Sequence, residues 1–306
     1  MIAGLQVIFI AIFVLRVVGH RGPLPSSLQT SRRDLYHLGE EASAFFESRT
    51  GVEDDMGLKE HILTVQTKPY AFVPYPCIRI LGFTRLRISK FPAYSDVLAL
   101  GREREDTVLP GTGFCCTFGN DVCKAVVDGF PRHNLNSRVE LWDFGDELFK
   151  STSETFPAHF MAGDALEPSM LEIIPPRSAS DNPETPRPNL STLTSLNHVH
   201  RHVSAIHASS FFHLFTEEKR LRLARAFAGL LSPLSGSVIF GAHIARLEEK
   251  GLLADEVSGQ RSEMWDTVFE KGSVSVKGHL RAVTRDGETF WVLVWLVTRL
   301  EVIGLY

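Results

Sequence analysis

This 306-residue chain has few cysteines, few long hydrophobic runs and almost no net charge. Its 32 Lys and Arg nearly balance 36 Asp and Glu, so no basic field attracts nucleic acid. Hydrophobic residues make up 44% of the chain, which is too many for a disordered protein. The composition therefore predicts a globular protein of enzyme size that does not bind nucleic acid.

The four cysteines form neither a C-x-x-C pair nor a disulfide framework. They are Cys77, Cys115, Cys116 and Cys123. This usage is typical of a reducing compartment, and we expect the protein to be cytoplasmic.

An apolar run opens the chain. Residues 2–15 are broken only by Gln6, and Arg16 follows them. A spanning helix needs about 18 apolar residues or more, and a signal peptide needs a basic start and a small-residue cleavage site. We therefore interpret residues 1–30 as a leader and linker. A buried helix and membrane association through residues 2–18 are the alternatives.

The rest of the chain is predicted to form one domain, residues 31–306, of the α/β class. Short apolar strands alternate with helical stretches, which is the pattern of a parallel sheet. Strands are predicted at 160–163, 203–209, 237–240, 274–283 and 290–300, and before the Gly-rich turn 111–119. Helices are predicted at 35–46, 58–65, 121–128 and 217–231, whereas 68–94, rich in proline and aromatics, is predicted to be extended.

The last two predicted strands are joined around Asp286-Gly287, a hairpin signal. An antiparallel end is typical of the class I methyltransferase sheet, whereas dinucleotide-binding dehydrogenases end on a sixth parallel strand. Residues 175–197 hold five prolines and few large apolar side chains. They are predicted to be a long surface loop or a disordered insertion.

Three segments carry candidate chemistry. The small residues of turn 111–119 would let the backbone approach a ligand, although an ordinary strand-to-helix turn is the alternative. Asp164 follows a strand, where open α/β sheets bind ligands, and could accept a hydrogen bond from an adenine; a helix N-cap is the alternative. His207 and His213 lie beyond a central strand, where a histidine can act as a general base.

His198, His200 and His202 alternate along the chain and would share one face of a strand. They adjoin the proline-rich insertion, so a solvated loop is favoured and no metal is predicted.

Four segments resemble fungal class I S-adenosylmethionine-dependent methyltransferases, which methylate meroterpenoid and polyketide intermediates of secondary metabolism. They are Tyr75-Pro76-Cys77-Ile78, Ile88-Ser89-Lys90, Phe118-Gly119-Asn120-Asp121 and the most specific, residues 206–215 (IHASSFFHLF). The resemblance covers about residues 35–245. It implies a Rossmann-like sheet with a C-terminal antiparallel hairpin, S-adenosylmethionine as methyl donor, an N-terminal helical lid at 31–100, and often a homodimer.

The resemblance also implies site residues. Gly119, Asn120 and Asp121 fall in its cofactor loop, Asp164 with Ala165 at the adenine, and His207 with Ala208 beside the sulfonium. The chain departs from the family pattern in two places. The loop carries Gly113 and Cys115 where the family has an acidic residue and a glycine, and residues 134–140 lack the acid that holds the ribose, for which Glu140 or Asp143 could substitute.

These observations predict an O-methyltransferase that acts on a carboxyl or hydroxyl of a small hydrophobic acceptor. Residues 70–94 are expected to wall the acceptor pocket, and His207 or His213 would serve as base for a hydroxyl. A catalytically impaired binding protein of the same fold is the first alternative. A nicotinamide-dependent oxidoreductase is the second, and the absence of G-x-G-x-x-G disfavours it.

Overall fold

The structure, a computed structural model, describes most of the chain between Arg33 and Glu301. The described residues are 8–9, 33–72, 76–104, 111–112, 118–130, 140–152, 155, 159–160, 163–177, 193–245, 263–285 and 288–301. Several sequence predictions fall on residues outside this set: most of the leader at 1–30, the centre of the Gly-rich turn at 113–117, residues 134–139 ahead of Glu140, the centre of the insertion at 178–192, and the Asp286-Gly287 turn.

Helices dominate the N-terminal part of the chain. The helices are α1 Glu40–Thr50, α2 Asp55–Phe72, α3 Pro76–Arg79, α4 Tyr94–Glu103, α5 Asn120–Val127, α6 Glu140–Phe149 and α7 Glu217–Leu230. The four helices predicted from the sequence are confirmed by α1, α2, α5 and α7, with shifted ends.

The prediction of extended chain at 68–94 is wrong. α2 continues through Pro69 to Phe72, and α3, two short 3-10 helices at Gly82–Thr84 and Ile88–Lys90, and the start of α4 follow. Pro76 is tolerated because it is the first residue of α3. The N–H of a first helical residue makes no hydrogen bond within the helix, so proline loses none by lacking it. The aromatic side chains of this segment are buried as expected: Tyr70, Phe83, Phe91 and Tyr94.

One sheet organises the C-terminal part. Its strands are β2 Gly111–Thr112, β4 Ala205–Ala208, β5 Val238–Ala245, β6 Val274–Arg285 and β7 Glu288–Arg299, in the order β2-β4-β5-β7-β6. The first three are parallel, and β7 runs antiparallel between β5 and β6. The predicted parallel sheet with an antiparallel hairpin at its end is therefore confirmed.

The hairpin strand β6 lies at the end of this sheet and pairs with β7 alone among the described strands. Lys277, His279 and Arg281 alternate along β6 and are exposed.

Each face of the sheet packs on its own core, because side chains alternate along a strand. Ala205 and Phe240 lie in the first core, and their neighbours Ile206 and Ile239 lie in the second. The first core includes residues of the N-terminal helices, α5 and α6: Phe46, Ile62, Ile88, Val122 and Phe149. The second includes residues of α7 and of 263–269: Leu223, Phe227, Trp265 and Phe269.

A second, two-stranded sheet pairs β1 Ile8–Phe9 in parallel with β3 His159–Phe160. Two residues of the apolar leader are thus in a strand rather than in a buried helix, and the remaining leader lies outside the described residues. In the part of the chain that the structure describes, no helix is long and apolar enough to cross a membrane.

The prediction of a disordered insertion at 175–197 is wrong at its C-terminal end, and its centre at 178–192 lies outside the described residues. Leu193 and Leu196 are buried in the second core. The Asn197 side chain accepts a hydrogen bond from the Glu172 N–H at 2.7 Å and donates one to the Pro168 carbonyl at 2.9 Å. Two leucines and one amide are enough to order this end.

Candidate active site

The strands β2 and β4 end at the same edge of the sheet, where open α/β sheets bind ligands. Gly111 pairs with His207, and Thr112 pairs with Ala208. A few residues after β2, Gly119 precedes α5 with a φ of +70°, which glycine adopts without the steric cost that a side chain imposes. The structure thus brings the predicted residues Gly119 and Ala208 to elements that border one edge.

Asn120 and Asp121 direct their side chains to the N-terminal part of the chain. Both are fully buried. The Asp121 Oδ1 accepts hydrogen bonds from the backbone N–H of Arg87 at 2.7 Å and of Ile88 at 3.0 Å. The Asn120 Nδ2 donates to the Arg85 carbonyl at 3.1 Å. Their assignment to the cofactor stays a prediction, and the contacts observed are with the backbone of residues 85–88.

His207 is completely buried in the first core. Its ring stacks on Phe240 at a centroid distance of 5.0 Å and meets Phe91 edge-on at 5.4 Å. Its Nε2 lies 2.7 Å from the Ser209 Oγ, which accepts a hydrogen bond from the Ala242 N–H at 3.1 Å. When the neutral ring carries its proton on Nδ1, Nε2 accepts the Ser209 hydroxyl proton and ties the end of β4 to β5.

The structure separates the two histidines predicted to be catalytic. His213 is exposed in the 3-10 helix Phe212–Leu214, and its ring lies parallel to that of His243, with centroids 6.2 Å apart. His243 belongs to β5 and pairs with Leu293 of the second core, so it faces away from Phe240 and His207. His207 and His213 therefore lie on opposite faces of the sheet.

Asp164 caps a local turn. Its Oδ1 accepts a hydrogen bond from the Leu166 N–H at 2.9 Å, and its carbonyl accepts one from the Glu167 N–H at 2.9 Å. Ala165 is buried in the second core. These contacts are those of the capping alternative, and binding of an adenine stays a prediction.

Glu140, the suggested substitute for the ribose acid, is the first residue of α6 rather than the last residue of a strand. The alternative residue Asp143 lies one turn further along the same helix and is exposed. The other residues of the segment that lacks the ribose acid, 134–139, lie outside the described set.

The alternating histidines do not share a strand. His198 lies in the 3-10 helix Leu196–Val199, and the His200 Nε2 lies 3.0 Å from the Glu172 carbonyl oxygen. Among the described residues, no three His, Cys, Asp or Glu side chains are grouped closely enough to hold a metal ion.

Sequence reasoning missed Ser209, His243 and Phe91 as neighbours of the candidate site. Ser209 stood in the segment 206–215 that carried the family resemblance, and Phe91 stood in the segment 70–94 that was expected to wall the acceptor pocket, although no pattern placed either one beside His207. No local sequence pattern indicated that His243 lies near the site, because its position depends on the pairing of β5 with β7.

The order of the sheet, with β7 antiparallel between β5 and β6, is that of class I methyltransferases. Residues 31–84 match the family described as the meroterpenoid methyltransferase N-terminal domain. The resemblance to fungal methyltransferases of secondary metabolism, which the sequence indicated, is confirmed.

Two relatives illustrate the similarity. The chain is 30% identical over 186 residues to the O-methyltransferase phiE of Fungal sp. (strain ATCC 74256), which covers 60% of this chain and 53% of that protein. It is 30% identical over 192 residues to the asnovolin E/chermesin D methyltransferase nvfJ of Aspergillus novofumigatus, covering 61% and 58%. The chain thus spans between half and two thirds of the length of these relatives.

Among solved structures, an O-methyltransferase from Bacillus cereus in complex with SAH covers 83% of this chain and 100% of its own, at 14% identity. Its TM-score is 0.39, which is too low to add to the argument from strand order.

The stability of the protein is expected to decrease from about pH 7.5 to about pH 5.5. Burial lowers the pKa of both His207 and His200 below the usual value of 6.5. The unfolded chain then binds protons near pH 6.5 that the folded chain does not, so acid favours unfolding. For His207 the loss is at most about 1.4 kcal/mol over this range.

Urea denaturation at the two pH values measures this effect. The Glu41 carboxylate, whose pKa is lowered by its bond to Lys90, titrates below 4.5 and does not contribute in this window. We expect His207→Asn to reduce the decrease. An unchanged pH dependence in this variant would show that His207 does not titrate with unfolding.

Proposed function

We propose that the protein is an S-adenosylmethionine-dependent O-methyltransferase that acts on a small hydrophobic acceptor of secondary metabolism. The observation that carries the proposal is the sheet order β2-β4-β5-β7-β6, together with the similarity to fungal O-methyltransferases over about three fifths of the chain. The antiparallel β7 argues against a nicotinamide-dependent oxidoreductase, since dinucleotide-binding sheets end on a parallel strand.

The candidate site has a polar atom available to the cofactor. The Asn120 Oδ1 is buried and has no hydrogen-bond partner within the described chain, although it belongs to the first residue of α5 beside the turn. A buried acceptor without a donor costs about 1–3 kcal/mol, so a ligand that donates to it gains affinity. The amino and hydroxyl groups of S-adenosylmethionine are donors of this kind.

S-adenosylmethionine supplies the electrophilic methyl group when bound. The chain itself has to align the acceptor with the donor and exclude water. A carboxylate acceptor needs no base, and this suits a site in which His207 is buried against Phe240 and Phe91. We therefore assign His207 to positioning β4, and His213, which is exposed, stays the candidate base for a hydroxyl acceptor.

A binding protein that has lost catalysis is the second candidate. Glu140 begins a helix instead of ending a strand. Within the described residues, this segment therefore offers no strand-end acid to hold the ribose, which favours the second candidate. The carboxyl or hydroxyl target, the homodimer and the cytoplasmic location stay predictions.

Isothermal titration calorimetry with S-adenosylmethionine, followed by transfer of labelled methyl groups to a panel of aromatic and terpenoid acids, tests the proposal. Binding with transfer supports the enzyme, whereas binding without transfer, or no heat at millimolar cofactor, contradicts the enzyme and supports the second candidate.

Gly119→Ala is expected to weaken binding of S-adenosylmethionine about tenfold. Alanine at a φ of +70° costs about 1–2 kcal/mol, which the turn relieves by moving away from the bound geometry. Gly39→Ala is the matched control, because Gly39 has a φ of −74° and no atom within 4 Å of an added Cβ. Equal affinities in the two variants would place the cofactor away from this turn.

A further inference from the structure

We propose that residues 85–91, called the latch segment below, couple the N-terminal helices to residues 118–121 at the start of α5, called the cofactor turn below. Cofactor binding at the turn and docking of the latch segment would then stabilise each other, with Asp121 as the positioning residue. This inference rests on the proposed function, because it assumes that the ligand of the turn is S-adenosylmethionine.

The first contact between the latch segment and the turn is a buried carboxylate. Asp121 is in the first turn of α5, two residues after Gly119, and has no exposed surface. One oxygen, Oδ1, accepts both N–H groups of Arg87 and Ile88. Hydrogen bonds to a charged acceptor are about twice as strong as neutral ones, and burial strengthens them further. A shift of the first turn of α5 therefore breaks two strong bonds at once.

The second contact is the neighbouring amide. The Asn120 Nδ2 donates to the Arg85 carbonyl, and the Asn120 Oδ1 is the atom that lacks a partner in the described chain. One side chain thus holds the latch segment with one end and leaves the other end for a ligand. A ligand that donates a hydrogen bond to Oδ1 would fix the orientation of the Asn120 amide. It would thereby also stabilise the hydrogen bond from Nδ2 to the Arg85 carbonyl.

The third contact reaches β4. Phe91, at the end of the latch segment, meets the rings of His207 and Phe240 edge-on at 5.4 Å and 5.3 Å. His207 is bonded through Ser209 to the backbone of β5. The latch segment therefore rests on both elements that border the ligand edge, the start of α5 and the end of β4.

The N-terminal helices also form polar contacts with α6, and these contacts do not involve the latch segment. Lys68 pairs with Glu147 at 2.6 Å on the surface, and the His61 Nε2 lies 2.9 Å from the Leu148 carbonyl oxygen. Both Glu147 and Leu148 belong to the last turn of α6, which does not follow the cofactor turn. These links hold the N-terminal helices without contact to the ligand edge, so they serve as an internal control.

Hydrogen exchange of the full chain, with and without S-adenosylmethionine, tests the coupling directly. The amides of Arg87 and Ile88 are the donors to Asp121, so their exchange reports on the latch. We expect cofactor to slow their exchange about tenfold, within the usual range of coupling between sites. Slowing confined to residues 111–123, in a protein that binds cofactor by calorimetry, would overturn the coupling and leave the proposed function intact. No heat and no slowing anywhere would overturn both.

Coupling between two sites is reciprocal, so a variant that loosens the latch segment must also bind S-adenosylmethionine more weakly. Asp121→Asn keeps an oxygen acceptor but loses the charge that strengthens its two bonds, so it is expected to lower the affinity for S-adenosylmethionine at least about fivefold and to reduce the slowing at Arg87 and Ile88. The matched control is Glu147→Gln, which makes the same carboxylate-to-amide change in an ion pair with Lys68 that involves neither the latch segment nor α5. It is expected to bind as the wild type does. Equal affinity of the two variants would overturn the inference, and if Asp121→Asn does not fold, the exchange of the wild type decides.

Discussion

Gly241→Ala is expected to lower the free energy of unfolding by about 3 kcal/mol, at the upper end of the usual cost of overpacking. A Cβ at this position of β5 would lie 2.5 Å from the Ala208 carbonyl oxygen, 2.7 Å from its carbon and 2.9 Å from Cζ2 of Trp295. Two of these atoms are backbone of the adjacent parallel strand, and the third belongs to a buried ring. The two backbone atoms cannot move aside without parting β4 from β5, and the Trp295 ring cannot move without disturbing the second core.

The parting of these strands would also reach the ligand edge, because Ala208 is the last residue of β4. We therefore expect weaker cofactor binding in addition to the loss of stability. Urea denaturation and calorimetry of Gly241→Ala measure the two effects, with Gly39→Ala as the control for a glycine whose Cβ meets nothing. A stability within about 0.5 kcal/mol of wild type would mean that the spacing of β4 and β5 differs from the one described here.

Asp121→Ala is expected to be the second most damaging change, with a loss of about 3 kcal/mol. It leaves the N–H groups of Arg87 and Ile88 without their acceptor, next to an Ile88 side chain with no exposed surface. A buried donor without a partner costs about 1–3 kcal/mol.

The asparagine variant separates the loss of bonds from the loss of charge. Asp121→Asn keeps an oxygen that accepts both donors, so it should retain more stability than Asp121→Ala, and both can be followed by thermal unfolding. Glu147→Ala, which removes an exposed carboxylate with a single lysine partner, should cost less than about 1 kcal/mol. If Asp121→Ala were no worse than Glu147→Ala, the buried bonds to the latch segment would contribute nothing to stability.

The sheet could be predicted from the sequence because its signals are local. Alternating helices and apolar strands indicated a parallel arrangement, and two long apolar runs around Asp-Gly indicated a hairpin. The extent of β5 to Ala245 was missed, since His243 and Ile244 join the strand only by pairing with β7.

The N-terminal part was harder to predict because proline was given too much weight. Pro69 and Pro76 suggested extended chain, yet one lies inside α2 and the other begins α3. Propensity is a weak guide where buried side chains, here Tyr70 and Ile78, decide which backbone is stable.

The assignment of the site residues to a cofactor stays a prediction, and what the structure adds is where those residues lie and what they contact. The resemblance placed Gly119 and Ala208, and both lie on elements at one edge of the sheet. It could not show that Asn120 and Asp121 bond to residues 85–88, because a contact across more than 30 residues leaves no trace in local spacing. Nor could it show that His207 and His213 are separated by the sheet.

The basic residues of β6 have a consequence for how copies of the chain meet. If two β6 strands paired in antiparallel register about His279, Lys277 of each copy would lie opposite Arg281 of the other, and like charges opposite one another destabilise a pair. Natural proteins place lysine and arginine on exposed edges to prevent such growth of a sheet into aggregates. Neutralising Lys277 and Arg281 would therefore remove a barrier to pairing of two copies in this register.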